Sequence, residues 1–433
     1  MTRALVVSYY FPPLGGAGVQ RTCKFARYLP DFGVTPSVVA GPTEGATRWE
    51  PKDEGLVDEL GKDLAVYRPA GKAVVKRGRL RRWTGRPTGV EGWWREALVE
   101  PAERAIADTK PDVLFVTMSP FAALEPVLQL GKKHGLPVVA DLRDPWALDE
   151  IFVYPSRWHR SHAIREMGRA LARADQVVLN TPETRAVALE AFPKLDPERV
   201  HVITNGYDAR DFQGLAARTA DGRTRILHTG YLHTAFGMRH RRRSPLKRAL
   251  GGEACEVDYL GRSHFYLLAA LRRLAERGVS LEALELHLLG VLSDADLALL
   301  KSDCPLADAQ IFTPGYVDHA TTVRAQVEAD LLFLPMHVLP AGRRARIVPG
   351  KTYEYLASGT PILAAVPEGD ARDFVRSAEA GTIVAPDDVE GLADAIEVTL
   401  ANSTGEKREL GAAITRFERR ELTRRLADVL QKA

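Results

Sequence analysis

The chain has 433 residues, too many for one ordinary core, and its 45% hydrophobic content is ample for two domains of roughly 200 residues each. Fifty-nine basic residues against 56 acidic ones leave a formal charge of +3, so no global field points to nucleic acid. Three widely spaced cysteines, Cys23, Cys255 and Cys304, carry neither metal spacing nor a disulfide framework and fit a reducing cytoplasm, and no apolar stretch approaches the ~20 residues that span a bilayer.

Met1 runs straight into the strand-like Ala4-Leu5-Val6-Val7, with too few apolar residues before Pro12 for a signal peptide. Leu5 to Ser8 reads as a strand, Gly15-Gly16-Ala17-Gly18 as a loop, and the pattern through Phe25, Tyr28 and Leu29 as a helix. That is the first unit of a doubly wound sheet, and the glycines let backbone N–H groups approach an anion; the run lacks the dinucleotide spacing, and alone it is equally a plain turn. Pro36 to Ala40 is a second strand. Between Arg68 and Arg95, Lys72, Lys76, Arg77, Arg79, Arg81, Arg82 and Arg86 interleave with Trp83, Trp93 and Trp94, and Glu91 is the acid among them. A solvated loop with its tryptophans on the core, an edge touching a membrane, and nucleic-acid contact are the three readings.

Asp112 to Thr117 reads as a strand ending in Met118-Ser119-Pro120, followed by a helix through Leu124, Val127 and Leu130. The strand Pro137 to Ala140 runs into Asp141-Leu142-Arg143-Asp144-Pro145-Trp146, which puts two carboxylates, a guanidinium and an indole at a strand's C-terminal end, where open α/β sheets bind ligands. The plain alternative is an internal ion pair made by Arg143. A helix through Ile164, Met167 and Leu171, a strand Gln176 to Asn180 and a helix capped by Thr181 follow.

Arg225 to Gly230 opens a second sheet, and about Leu232 to Leu260 reads as an insertion rich in Arg239, Arg241, Arg242, Arg243, Lys247 and Arg248, taken as a mobile surface loop. Asp294 and Asp296 after Ser293 are what a helix N-terminus prefers, so they imply no metal. Ile311 to Pro314, then Gly315-Tyr316-Val317, end another strand, and Asp330 to Pro335 is the next. The richest stretch is Ile347 to Ala364: Pro349 and Gly350 break the chain, a short helix starts near Lys351, Gly359 ends it, and Ile362 to Val366 is a buried strand. A helix start beside a lysine attracts phosphate, and Glu354 one turn on can accept from paired hydroxyls such as those of a ribose. Phe417, Leu422, Leu426, Val429 and Leu430 mark a core-facing last helix.

The run Glu354-Tyr355-Leu356-Ala357-Ser358-Gly359-Thr360-Pro361 resembles the donor-binding signature of the retaining GT-B glycosyltransferases of glycosyltransferase family 4 (glycosyl transferases group 1), and the similarity extends with one interruption from Val6 to about Leu430. The resemblance implies an α/β chain of the GT-B fold, two Rossmann-like doubly wound domains facing across a cleft. An acceptor-side domain would span 1–206, ending in the V-x-x-N-G-x-D-like Val202 to Asp208; a nucleotide-sugar domain would span 207–402; a helix over 403–433 would cross back. Implied donor contacts are Gly15, Gly16, Gly18, Tyr316, Val348, Lys351 and Glu354. The D-x-R-D-P-W run resembles the acceptor-side motif, implying contacts from Ser119, Asp141, Arg143 and Trp146, with Asp144 orienting or deprotonating the acceptor hydroxyl. A basic residue in the loop after the second domain's first strand would grip the diphosphate with Lys351; Arg262 before a helix suits it, and Arg243 is the competing register. Many members carry a second glutamate eight residues before the first, and this chain has Arg346 there.

The implied activity is retaining, metal-independent transfer of a sugar from a nucleotide-sugar to a hydroxyl of a cell-surface or lipid-linked glycan, without a cofactor. A soluble natural-product aglycone as acceptor and sugar-nucleotide epimerisation are the alternatives, and Arg346 is the one hint of a non-catalytic binding module. The basic stretches suit peripheral contact with an anionic membrane at its cytoplasmic face.

Overall fold

Successive residues of the first strand are buried on opposite sides: Leu5 and Val7 join one apolar cluster, Ala4 and Val6 another. A strand apolar on both faces belongs inside a parallel sheet covered by helices above and below. The computed structural model, which describes residues 1–44, 52–61, 63–71, 87, 89–402 and 407–433, has that arrangement twice.

The first unit, Met1–Gly206 with Phe417–Ala433, contains β1 (Thr2–Ser8), β2 (Val34–Ala40), β3 (Val66–Tyr67), β4 (Val113–Met118), β5 (Val138–Leu142), β6 (Gln176–Leu179) and β7 (Val200–Val202). They form one parallel sheet in the order β3-β2-β1-β4-β5-β6-β7. The helix Ala17–Tyr28 and the last helix, Arg419–Lys432, cover one face, where Phe25 and Leu29 meet Leu422, Leu426 and Leu430. Helices Gly89–Ala97, Val99–Thr109 and Leu124–His134 cover the other. Gly206 is held against this last segment: a Cβ there would meet the Phe417 carbonyl oxygen at 2.1 Å.

The second unit, Tyr207–Arg416, contains β8 (Thr224–Thr229), β9 (Leu284–Leu289), β10 (Ile311–Gly315), β11 (Leu331–Pro335), β12 (Ile362–Ala365) and β13 (Gly381–Val384), parallel in the order β10-β9-β8-β11-β12-β13. In each sheet the winding reverses beside the first strand, so the loops after β1 and β4, and after β8 and β11, part at the carboxyl ends. Such switch points are where open α/β sheets receive ligands.

Several expectations meet the structure here. Thr181 caps its helix by accepting from Thr184 N, and Ser293 forms a capping box with Asp296, so Asp294 and Asp296 belong to a helix start. Trp94 is 1% exposed and packs with Trp93 against Tyr9, whereas Lys72, Lys76, Arg77, Arg79, Arg81, Arg82, Trp83 and Arg86 lie outside the described residues. The insertion is a correction: it forms helices Thr234–Arg241 and Pro245–Ala249 rather than a loop. It is anchored because Glu253 pairs with Arg243 and His240, Asp258 pairs with Arg241, and Phe236 packs on Tyr259. Residues 407–416 stay with the second unit, since Lys407 Nζ donates to the Ala329 carbonyl (2.6 Å) and Thr360 Oγ1 (2.8 Å); the return to the first unit begins at Phe417, later than position 403. Among the described residues no helix is long and apolar enough to cross a membrane.

Candidate active site

Each unit presents a cluster of polar groups at the carboxyl ends of its strands. In the first, β1 ends at Ser8 and the loop to the helix Ala17–Tyr28 closes with Gly16 at φ +92°, a conformation that glycine adopts without penalty. Gly18 leaves room for Arg143, because a Cβ there would lie 2.1 Å from Nη1. The Arg143 guanidinium sits 4.4 Å above the Tyr10 ring, and its Nε is 3.4 Å from Asp144 Oδ2. Gly15 is buried and Gly16 half-buried beside it.

The D-x-R-D-P-W run divides by burial. Asp141, on β5, is fully buried and accepts from Arg21 Nε (2.9 Å), Arg21 Nη2 (2.7 Å) and Thr117 Oγ1 (2.7 Å). Arg21 also donates to the carbonyls of Ile203 and Thr204, so this ion pair joins the glycine-loop helix to β5 and the chain after β7. Placing Asp141 among the acceptor contacts is therefore corrected: its oxygens are spent on the interior, and its partner is Arg21, not Arg143. Asp144 is the carboxylate that reaches the surface, with half its side chain exposed. Trp146, half-buried at φ +52°, is stacked on Phe121 with ring centroids 5.2 Å apart, and that packing is what holds a bulky residue in a left-handed conformation. Half-buried Ser119 precedes Phe121, and Glu91 fastens this turn by accepting from the N–H groups of Phe121 (3.1 Å) and Ala122 (2.8 Å). Burial pushes the Glu91 carboxyl up, against the pull of those two bonds.

In the second unit the helix Lys351–Ala357 brings the signature residues to the end of β8. Tyr355 is buried, and its hydroxyl accepts from Thr229 N at 2.9 Å, fixing the helix against the strand. Lys351 then reaches across Gly230, where a Cβ would be 3.3 Å from Nζ, and Nζ donates to His228 Nε2 at 3.0 Å. His228 must accept, because its Nδ1–H is given to the Phe333 carbonyl at 3.1 Å. Burial first, then the nearby Arg262, lower the Lys351 ammonium to about 7, with Glu354 opposing; burial first, then Lys351, hold His228 well below the usual imidazole range. His233, whose N–H bonds the Arg262 carbonyl at 3.0 Å, is lowered to about 3 by burial and by Arg262, Lys351 and His337.

Arg262 closes the turn Tyr259–Arg262, ahead of the helix Phe265–Glu276. Its field acts on Lys351 and His233, while Arg243 is paired with Glu253 inside the insertion. Of the two candidates, Arg262 is the one whose charge is felt at Lys351. Glu354 Oε2 accepts from Gln326 Nε2 at 3.0 Å, and its Oε1 stands 4.0 Å from His319 Nδ1. The N–H groups of Thr352 and Tyr353 bond the Pro349 and Gly350 carbonyls, so the helix start offers fewer open donors than its sequence suggests. Val348 is buried, Arg346 half-buried, and Tyr316, just past β10, is 39% exposed. His228, His233, His319 and Gln326 were not singled out from the sequence: isolated histidines and a glutamine inside a helix carry no spacing signal. Among the described residues no group of three or more His, Cys, Asp or Glu is placed to hold a metal ion.

The first unit thus carries a carboxylate–arginine–indole loop, and the second a lysine under the influence of an arginine with a carboxylate one turn on, each at the carboxyl end of a parallel sheet. Two family models match, Glycosyltransferase Family 4 over residues 15–211 and Glycosyl transferases group 1 over residues 260–402. The chain is thus a glycosyltransferase of the GT-B fold, an enzyme of the glycosyl-transferring class. No curated protein matches it in sequence.

Solved structures are similar over the whole chain. Anabaena Alr3699/HepE in complex with UDP and glucose has 15% identity and a TM-score of 0.61, covering 100% of both chains. Sucrose-phosphate synthase from Thermosynechococcus elongatus has 14% identity and a TM-score of 0.67, covering 100% of this chain and 99% of that one. A putative UDP-N-acetylglucosamine 2-epimerase from Listeria monocytogenes has 11% identity and a TM-score of 0.57, covering 98% and 95%. A fold shared by transferases and an epimerase does not by itself choose between them.

Proposed function

We propose that this chain transfers a sugar, with retention and without a metal, from a nucleotide-sugar to a hydroxyl of a cell-surface or lipid-linked glycan. The observation that carries the reading is the second unit's cluster: Lys351 and Arg262 for the diphosphate, Glu354 for the ribose, and the region of Val348 and Tyr316 for the rest of the nucleotide. HepE, solved with UDP and glucose, supports a nucleoside-diphosphate sugar as donor. In the reaction the bond from the anomeric carbon to the phosphate oxygen breaks and a bond to the acceptor oxygen forms on the same face. The acceptor proton passes to the departing phosphate, helped by Asp144, whose exposed carboxylate suits a hydroxyl. Lys351 and Arg262 stabilise the charge that develops on the diphosphate, so no protein nucleophile is needed.

An acceptor at a membrane's cytoplasmic face is supported by the insertion, which exposes Leu246 (73%) and Leu250 (44%) along with Arg242 and Arg248. Incubation of the purified protein with labelled nucleotide-sugars and membrane extract, followed by analysis of the anomeric configuration of the product, tests the reading. A glycan product with the donor's configuration supports it; donor conversion with no acceptor present points to an epimerase. Failure to sediment with anionic vesicles at low salt favours a soluble aglycone as acceptor.

A further inference from the structure

Glu354 is held by a residue of a different helix. Gln326 lies on the helix His319–Glu328, is fully buried, and its Nε2 donates to Glu354 Oε2 at 3.0 Å. Its amide can take one orientation only, since a flipped carbonyl would face the carboxylate with two acceptors and no proton between them. In the orientation it takes, Gln326 Oε1 is buried with no hydrogen-bond partner among the described residues. A buried acceptor left unpaired is costly, so the amide is placed for what its nitrogen does, not for its own solvation.

The backbone under it is fixed as well. The Gln326 carbonyl accepts from Thr360 Oγ1 at 2.7 Å, in the turn that ends the Glu354 helix, and Lys407 Nζ bonds the same Thr360 hydroxyl at 2.8 Å. Both ends of the Gln326–Glu354 contact therefore rest on one hydrogen-bonded frame. His319 does not compete for the carboxylate: its Nε2 is 3.0 Å from Asp211 Oδ2, and its Nδ1, 4.0 Å from Glu354 Oε1, is beyond hydrogen-bond distance.

We propose that Gln326 is a positioning residue: by occupying Glu354 Oε2 it turns Oε1 outward to receive the paired hydroxyls of a ribose, and it thereby sets discrimination for ribonucleotides over deoxyribonucleotides. The proposal rests on the reading of Glu354 as the ribose acceptor. A bidentate sugar contact needs the carboxylate plane held within a narrow range.

The test compares calorimetric affinity for UDP or GDP, whichever binds, with that for its 2′-deoxy counterpart. In the wild type the ribonucleotide binds more tightly; in Gln326→Leu the ratio falls about tenfold or more, as expected when a hydrogen bond to a charged group is lost. Gln326→Glu supplies a readout that a merely structural role would not move. Its ratio is low at neutral pH, where the introduced carboxylate faces Glu354, and recovers as the pH falls and the introduced carboxyl becomes protonated and donates; Gln326→Leu shows no recovery. If Gln326→Leu does not fold, the pH recovery of Gln326→Glu decides alone. A wild type that discriminates, with variants that keep the full ratio, overturns the positioning role and leaves the ribose reading intact. A wild type that binds both nucleotides equally, or neither, overturns the ribose reading and the proposal together.

Discussion

Lys351 Nζ donates to His228 Nε2 at 3.0 Å, and His228 can do nothing there but accept, because Phe333 takes its other ring proton. A lysine in such a place holds its charge weakly until an anion arrives. Burial and Arg262 lower it to about 7, and His233, lowered to about 3, adds no charge near neutrality.

The pH dependence follows from that. In the empty site the ammonium is charged below about 7, while in the unfolded chain it stays charged to the ordinary 10.5. Between those values the unfolded state binds more protons, so the stability of the empty protein rises with pH across that window. A bound diphosphate favours the ammonium, so nucleotide affinity is greatest below about 7 and declines above it, with up to one proton taken up on binding. Titrations in buffers of different ionisation enthalpy measure this. Affinity independent of pH, or a Lys351→Met variant with the wild-type pH profile, counts against it.

Lys351→Ala and Arg262→Ala should each lower turnover by ~10²-fold, the usual consequence of removing a group that stabilises developing charge. Arg243→Ala should leave turnover within twofold or so of wild type, because Arg243 is engaged by Glu253 in the insertion. The reverse pattern in steady-state kinetics would reassign the diphosphate group.

Gly18→Ala puts a methyl where Arg143 Nη1 now lies and forces the guanidinium off Tyr10. Turnover should fall on the order of 10- to 100-fold, as misplacement of a positioning group does, and donor affinity should fall with it, because the glycine loop is read as a donor contact. Unchanged donor affinity would take the glycine loop off the donor.

The two aspartates of the D-x-R-D-P-W run should separate by assay. Asp141→Ala leaves Arg21 buried and unpaired and should cost about 3–5 kcal/mol in thermal or denaturant unfolding. Asp144→Asn, at a half-exposed position, should leave stability nearly unchanged and lower turnover. Equal stability losses in the two would contradict the division.

The doubly wound sheets were legible because strands buried on both faces alternate with helical patterns at short spacing. The signature run and its lysine were legible because Pro349, Gly350 and Gly359 punctuate it. Which aspartate faces inward was not, since Asp141 and Asp144 differ only in what folds over them, and the Arg21 that decides it lies 120 residues away. The insertion read as a loop because its acids, Glu253 and Asp258, follow the arginines they neutralise instead of alternating with them. Gln326 was invisible for the same reason as His228: its role depends on a contact with an element distant in sequence.

Glu354 and Lys351 are the second unit's proposed hold on a nucleotide-sugar, and calorimetric titration of UDP-, GDP- and dTDP-sugars into the wild type and Glu354→Ala measures it. At least one donor should bind the wild type, and Glu354→Ala should weaken this binding while the thermal midpoint stays in place. Binding of none of them, or equal affinity in the two proteins, overturns the reading.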